Sequence, residues 1–573
     1  MPPKLDASRV TKLAGVGVAV LSAIACWIEV ARLSLLKRFS IDEFQYAHAA
    51  WLVSHGKLPY RDFFEFHFPL PYLSYSFFIN DSPGSIAHLR LFMLACFALT
   101  SFGLYRLNRE RGVALALTAP IAAATATPFT FFATEIRPDA VAFALFVNAL
   151  ACLRPAQVTR GRAALGGILW VLALFATQKT LIYSAPLAVL LLVDVIRARE
   201  PWRARWLEAW LPLALGAGGV ALLIALYFLV THSGVAWFQQ TLVWAAYHEK
   251  HYPGFPWTDY GLPALEAASV LFALGALGVA RTVYELTQSR APWAEPDLVL
   301  LLVLGSALFS FGFARAPFPY ALLPGLGLLA AFVPRAFTAI FTLLRRVPVA
   351  PSVFALEVFV VLLVLALLGP RVGFQRSEQK LETTNAYQYH ELGELARLTR
   401  PSDPVYDNSG SFVSRPHVGF RFYTSALDRQ EEAATLPIKV PQAIRDLGCT
   451  AALLDARFGG LPPALKRFFG QHYLPFDADI WLWGQRFPTS SGAVSFEAVR
   501  DADYFVEPER VGVSGELSVD GTRVSTPVFH LSRGLHRFEY SGTERQYSVA
   551  WLPADGTRFQ PKYGLHPAFS SIF

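Results

Sequence analysis

Apolar segments recur along roughly the first two-thirds of the chain, and no other feature restricts its fold so strongly. They fall near residues 13–36, 86–105, 113–133, 139–153, 163–178, 180–196, 209–230, 262–280, 298–314, 318–334 and 350–370. A bilayer-spanning helix needs about 20 mostly apolar residues, so the pattern predicts about eleven such helices, several near the short limit. Composition agrees: 54% of the 573 residues are hydrophobic and only 16% are charged, where a soluble chain carries about a quarter charged residues. That deficit excludes a disordered protein, a simple cytosolic enzyme and a nucleic-acid binder, despite a net charge of +7 and a pI near 9.1. The partner composition demands is a lipid bilayer.

Basic residues then report topology. With the N-terminus cytoplasmic, the inner loops hold Arg106, Arg109 and Arg111, then Arg154, Arg160 and Arg162, then Arg197, Arg199, Arg203 and Arg205. Arg281 and Arg290 follow, and then Arg335, Arg345 and Arg346. The alternate loops carry their cations singly or in pairs. This alternation is the positive-inside pattern, and an odd number of spans puts everything beyond residue 370 outside. The N-terminus mimics a signal peptide, but its apolar run continues past Cys26 to about Leu36, too long for a cleaved segment, and reads as the first anchor. The four cysteines imply no disulfide framework, because Cys26, Cys96 and Cys152 lie in apolar runs. The expected location is a bacterial cytoplasmic (inner) membrane.

The fold class expected is an α-helical polytopic membrane protein with a C-terminal external α/β region and a small β-sandwich. Three parts follow: 1–370 as the transmembrane part, 371–490 as an external α/β domain, and 491–573 as an external sandwich with carbohydrate binding as its candidate role. The first outer loop, 37–85, contains amphipathic stretches at 43–55 and 68–79 that predict helices lying along the membrane surface. Another outer loop, 231–261, is rich in aromatics, His and Pro. Residues 375–400 read as a surface helix, and 403–490 alternates helices with strands at 404–406, 451–454 and 480–483. Beyond it, period-2 runs and turns at Asp520-Gly521 and Arg533-Gly534 predict hairpins, with Tyr540 and Trp551 as a candidate sugar platform.

Asp42 and Glu43 directly follow the first span, where adjacent carboxylates are costly unless solvated, paired or used. The plain alternative is a helix start, with Ser40 as the cap and the acids in the first turn. The residues that follow extend the pattern: Tyr46, Ala49, then Gly56-Lys57-Leu58-Pro59-Tyr60, then Glu65-Phe66-His67-Phe68-Pro69-Leu70. This constellation resembles the first external loop of GT-C glycosyltransferases, in the group containing protein O-mannosyltransferases and lipid A aminoarabinose transferase. Glu135-Ile136-Arg137-Pro138-Asp139 is similar to that group's second motif, and Arg315 with Pro319-Tyr320 and Pro324 resembles a third. The resemblance covers roughly residues 10–370.

The resemblance implies an inverting transfer of a sugar from a polyprenyl-phosphate donor to a glycan, lipid or protein acceptor on the external face of the membrane. Asp42 is then the candidate catalytic base, with Glu43 positioning the acceptor or supporting Asp42. A departing phosphate calls for preorganised cations and donors. Glu65, His67, Arg137, Asp139, Lys179, Arg315 and Tyr320 are the candidates for donor phosphate and sugar. The chain departs from its aminoarabinose-transferase relatives at His67, where they carry lysine, and this bears on donor identity because imidazole is only partly cationic near neutral pH. His248 and His251 share a helix face and are candidate loop or acceptor contacts. A divalent cation could sit there, as some relatives use one and others none, but no third ligand is evident and the expected reading is no metal.

Two other classes compete. A transporter or lipid flippase would show paired halves or charges at mid-membrane, whereas these charges fall at helix ends and in loops. A scaffold protein with a sugar-binding tail would not need Asp42 and Glu43.

Overall fold

The structure is a computed structural model that describes residues 7–153, 158–197, 206–290, 295–344, 384–423 and 425–564. The first nine helices are α1 (Ala7–Leu36), α2 (Ile41–Ser54), α3 (Leu70–Tyr75), α4 (Ile86–Asn108), α5 (Val113–Thr125), α6 (Thr127–Ala133), α7 (Pro138–Cys152), α8 (Arg160–Ala176) and α9 (Thr180–Arg197). The chain divides into two compact units.

The first unit, Met1–Lys37, Phe66–Pro71 and Leu89–Thr384, is helical. Among the described residues, six helices are long and apolar enough to cross a membrane, or seven if one bent pair is a single span. The protein is a multi-pass membrane protein, but the expected eleven spans are not reproduced, for identifiable reasons. The segment 113–133 is broken by 80° between α5 and α6, where Pro128 in the first turn of α6 cannot donate to the preceding turn. Thr130 Oγ1 takes up the freed carbonyl of Ala124 at 2.7 Å. Helix α7 has 15 residues and α8 has 17, short of a full crossing. The segment 180–196 is helical as α9, but its described apolar part runs only Thr180–Val189. The segment 350–370 lies outside the described residues, as do Arg154, Arg199, Arg203, Arg205, Arg345 and Arg346.

Burial separates helices that face protein from helices that face lipid. All of α7 except Leu145 is buried, so this short helix is packed inside the bundle. The helix Leu211–Thr231 has no buried residue, and Leu223 and Val230 are 67% and 75% exposed. Such a surface would be untenable in water and is the surface hydrocarbon covers. Tight approach of small residues closes the bundle: a Cβ on Gly167 would lie 2.4 Å from the carbonyl oxygen of Leu213.

The second unit comprises Arg38–Glu65, Tyr72–His88 and Asn385–Phe573. A seven-stranded sheet runs β1 (Val405–Tyr406), β2 (Ala451–Leu453), β4 (Ile480–Pro488), β11 (Gln546–Trp551), β6 (Ala502–Glu507) and β9 (Val528–Leu531), with β3 (Tyr473–Pro475) also paired to β4. A second sheet runs β5 (Val494–Ala498), β10 (Gly534–Tyr540), β7 (Leu517–Val519) and β8 (Thr522–Arg523). Strands β1, β2 and β4 answer the three short strands expected in 403–490. The turn expected at Asp520-Gly521 joins β7 to β8, with positive φ at both residues (52° and 81°), as a type I′ hairpin requires. Phe496 and Phe538 of the small sheet meet Phe487, Tyr504 and Phe529 of the large one, with centroids 5.5 to 6.5 Å apart. Strand β11 pairs with β4 across position 490, so the large sheet draws on both halves of the region. Trp551 is 2% exposed and belongs to this core, so its ring is no open platform.

The first outer loop is also part of this unit. Helix α2 does not lie open along a surface, since every residue from Glu43 to Trp51 is buried. His48 bonds the carbonyl of Val413 at 2.7 Å and stacks edge-on against Phe412 and Phe422. Gly410, at φ +75°, packs so closely on α2 that a Cβ there would lie 3.0 Å from His48 Cβ and 3.3 Å from Gln45 Cα. Any larger residue would be strained there and would push the helix away. The surface helix expected at 375–400 is observed as Ala386–Leu398, half-buried through Gln388, Glu391, Leu392, Leu395 and Leu398; residues 375–383 lie outside the described residues.

Candidate active site

In the helical unit, four predicted residues converge. Arg137 is the N-cap of α7, held extended by the proline that follows it, and Asp139 sits in the first turn. Lys179 occupies the short link between α8 and α9, where Thr177 leaves the helix. Tyr320 stands in a tight turn, Pro319–Leu322. The Lys179 ammonium pairs with Asp139 Oδ1 at 3.1 Å. The Tyr320 ring receives two cations, with Arg137 4.3 Å and Lys179 4.5 Å from its centroid. Each such contact is worth about 0.5–2 kcal/mol, more when desolvated.

Two residues outside the predicted set complete the cluster. Glu135 forms an ion pair with Arg137 through one oxygen and with Lys37 Nζ, at 3.7 Å, through the other. Lys37 also donates to the carbonyl of Phe131 and lies 4.0 Å from that residue's ring. Glu135, Arg137 and Lys37 are buried, while Lys179 keeps 36% of its side chain exposed. The bend between α5 and α6 delivers Phe131 and Glu135 to this point. Three cations (Lys37, Arg137, Lys179) and two carboxylates (Glu135, Asp139) meet at this point, and Lys179, the most exposed of them, offers an ammonium group that an anion could approach.

Arg315 is not in this cluster. Its backbone N–H donates to Glu249 at 2.7 Å, its side chain donates to the carbonyl of Tyr252 at 2.8 Å, and its own carbonyl accepts Phe255 N–H at 3.2 Å. It therefore ties down the aromatic segment that follows the helix Trp244–His251. On that helix, His248 stacks between Trp244 and Tyr252, each at 4.8 Å, and His251 Nδ1 bonds the carbonyl of Tyr247 at 2.8 Å. Among the described residues, no group of three or more His, Cys, Asp or Glu is arranged to hold a metal ion. His67 is buried and tilted against Phe66 at 4.1 Å.

The second unit holds the acids. Ser40 caps α2 through a capping box: its backbone N–H donates to the Glu43 carboxylate at 2.9 Å, and its hydroxyl accepts Glu43 N–H at 3.4 Å. Glu43 is thereby a buried helix-start residue, and the plain reading of the acid pair holds for it. Asp42, one position earlier, points elsewhere. Arg457 Nη2 donates to Asp42 Oδ1 at 3.0 Å, and Asp42 keeps 20% of its side chain exposed while Arg457 keeps 7%. Arg457 Nη1 reaches Ser409 Oγ at 3.4 Å, and Arg457 N–H donates to Asp455 Oδ1 at 2.8 Å.

Behind these lies Asp407, which accepts N–H bonds from Ser409, Gly410 and Phe412 at 2.7, 2.6 and 3.2 Å. Burial raises both the Asp407 and Asp455 carboxyls above their ordinary range, and the charge of Asp455 raises Asp407 further. The three backbone donors oppose that rise. The pair accordingly retains a proton at pH values where exposed carboxylates hold none. Glu65 is buried beside Tyr72, whose hydroxyl is pushed well above its usual range by burial first and by the Glu65 charge second.

Sequence reasoning missed Lys37, Glu135, Arg457, Ser409 and Asp455 as site residues. A lysine closing an apolar helix reads as an interfacial anchor, and only the Glu-x-Arg-x-Asp spacing hinted at Glu135. Arg457 stands 415 positions from Asp42, and nothing local marks the connection.

No protein-family profile matches the chain, and no curated protein matches it. Solved structures do. The lipid A aminoarabinose transferase ArnT from Cupriavidus metallidurans, bound to undecaprenyl phosphate, aligns with TM-score 0.53 and 14% identity over 81% of this chain and 97% of that one. Its apo form aligns with TM-score 0.56 and 15% identity over 82% and 98%. The oligosaccharyltransferase of Archaeoglobus fulgidus, in the apo form, aligns with TM-score 0.52 and 12% identity over 82% and 74%. The fold is the GT-C fold that the motifs predict, with a sheet region following the membrane helices.

Proposed function

We propose that the protein is an inverting glycosyltransferase that moves a sugar from a polyprenyl-phosphate donor to an envelope glycan, lipid or protein. The supporting observation is the convergence of Lys37, Arg137 and Lys179 around Glu135, Asp139 and the Tyr320 ring within a GT-C fold. A solved structure of the same fold is bound to undecaprenyl phosphate, and a lipid phosphate is the anion this cluster would take. In the reaction, an acceptor hydroxyl oxygen bonds to the anomeric carbon as the bond from that carbon to the phosphate oxygen breaks. The electron pair leaves with the polyprenyl phosphate, whose growing charge the cations stabilise. The hydroxyl proton passes to Asp42, a carboxylate with part of its surface open to solvent.

Glu43 supports Asp42 by fixing the start of α2, and Glu65 and His67 stand beside the donor sugar. Arg315, His248 and His251 shape an aromatic segment toward donor or acceptor. In this scheme the membrane part lies within 1–370, and 371–490 and 491–573 stand on the acceptor's side. The membrane is the bacterial cytoplasmic membrane, with the N-terminus inside and the sheet region outside.

The test is to incubate purified full-length protein in lipid nanodiscs with a pool of undecaprenyl-phosphate-linked hexoses and pentoses and an envelope extract as acceptor. Release of undecaprenyl phosphate that Arg137→Gln and Lys179→Met reduce is the expected result. No release from a verified donor pool, together with lipid movement across proteoliposomes, would overturn the proposal in favour of a flippase.

A further inference from the structure

We infer that Arg457 is a positioning residue for Asp42, so that a turn in the C-terminal sheet region fixes the candidate base that the first outer loop supplies. This rests on the reading of Asp42 as the base. The geometry is one-sided. Arg457 grips one oxygen of Asp42 at 3.0 Å and is itself enclosed, at 7% exposure, while the carboxylate it holds keeps 20% of its surface open. Here the enclosed member is the cation and the accessible member is the acid.

Arg457 is in turn fixed by its own neighbours. It lies in the short helical turn Ala456–Gly460, capped by Asp455, whose Oδ1 accepts the Arg457 N–H at 2.8 Å. Its second terminal nitrogen reaches Ser409 Oγ at 3.4 Å, and Ser409 N–H donates to Asp407 at 2.7 Å. The path Asp407–Ser409–Arg457–Asp42 is thus a chain of fixed polar contacts that ends on an accessible carboxylate. A planar guanidinium sets the direction of a carboxylate in a way a point charge does not. Misplacing a reacting group by about 1 Å can cost about 10²-fold in rate.

Steady-state and single-turnover release of undecaprenyl phosphate would be measured with the donor pool above, using the full-length protein in nanodiscs. The proteins are wild type, Arg457→Gln, Arg457→Lys, Asp42→Asn, and each Arg457 variant combined with Asp42→Asn. Arg457→Gln should lower kcat by about 10²-fold and leave the donor KM within about twofold, because the donor phosphate is not its partner. Arg457→Lys should recover part of that loss by restoring the charge without the fork. In the Asp42→Asn background, either Arg457 change should cost less than about twofold, since a residue that acts through Asp42 has nothing left to position.

Losses that multiply in the double variant would overturn the inference and mark Arg457 as structural, as would wild-type kcat in Arg457→Gln. Where Arg457→Gln does not fold, Arg457→Lys carries the same test, with an expected loss of about tenfold that again vanishes with Asp42→Asn. Wild-type turnover in Asp42→Asn alone would instead overturn the base assignment, and this inference with it.

Discussion

Both units bury charge, but with different groups at the centre. In the helical unit, Lys37, Arg137 and Lys179 meet Glu135 and Asp139 around one tyrosine ring. In the sheet unit, Arg457 stands between Asp42 and Asp455, Arg429 also acts on Asp455, and the buried Asp407–Asp455 pair retains a proton. The proposed transfer releases a phosphate and deprotonates a hydroxyl; on that reading the cations of the first cluster serve the phosphate and Asp42 takes the proton.

Separating the two effects is the sharpest way to break that division. Asp42→Asn keeps the size and the hydrogen-bonding oxygen but cannot take a proton. It should lower kcat by about 10³-fold, within the range for losing a general base, with the donor KM within about twofold. Lys179→Met should do the reverse: Lys179 keeps 36% of its side chain exposed and pairs with Asp139 at 3.1 Å, so its loss should spare the fold and raise the donor KM by about tenfold. Kinetics with a single verified donor would measure both. A kcat defect in Lys179→Met with unchanged KM, or a KM defect in Asp42→Asn, would dissolve the assignment of phosphate to one cluster and proton to the other.

Tyr320 tests a finer point within the cation cluster. Its ring is the surface on which Arg137 and Lys179 both lie, so Tyr320→Phe should leave the donor KM within about twofold, whereas Tyr320→Leu should raise it by about fivefold. Equal losses in both variants would show that the hydroxyl, rather than the ring face, carries the effect.

Much of the helical unit was legible because a bilayer imposes a length on apolar runs. Where that rule misled, the cause was packing. Helix α7 is apolar and buried in protein, and at 15 residues it is shorter than a typical crossing; composition does not distinguish apolar residues that face protein from those that face lipid. The bend at Pro128 was in principle readable, since proline so placed interrupts a helix, yet an apolar run of normal length concealed it. The site divided along the same line. Arg137, Asp139, Lys179 and Tyr320 stand at helix ends, and helix ends are what a hydropathy pattern locates. Glu43 carries two readings at once: it stands beside Asp42 in the motif, and three residues after a serine cap it also closes the capping box. Arg457 was out of reach, because a contact between the first loop and a turn in the sheet region depends on long-range packing.

The smallest expected effect concerns the sheet unit's stability and follows from its buried titratable groups. His48 is lowered to about 3, by burial first and then by the nearby His417, and His417 is lowered to about 4 by burial. Glu391 is raised to about 8, by burial first and then by Asp477. Below the ordinary histidine value of 6.5, the unfolded chain takes up protons that the folded unit refuses, so stability falls as pH drops from about 6.5 toward 4. Glu391 acts the other way: unfolded, it loses its proton near 4.5, and folded, it keeps it to about 8, so its contribution declines as pH rises through that interval. Each group supplies at most about 1.4 kcal/mol per pH unit. Asp407 and Asp455, whose carboxyls burial also raises, act in the same sense as Glu391, so Glu391 is read by difference. Thermal melts of the full-length protein and of Glu391→Gln from pH 5 to 8 should show the variant declining less toward pH 8, by a few degrees, because it keeps a neutral, hydrogen-bonding side chain at all pH values. Melting temperatures of wild type and Glu391→Gln that run parallel from pH 5 to 8 would mean that Glu391 is ionised in the folded unit.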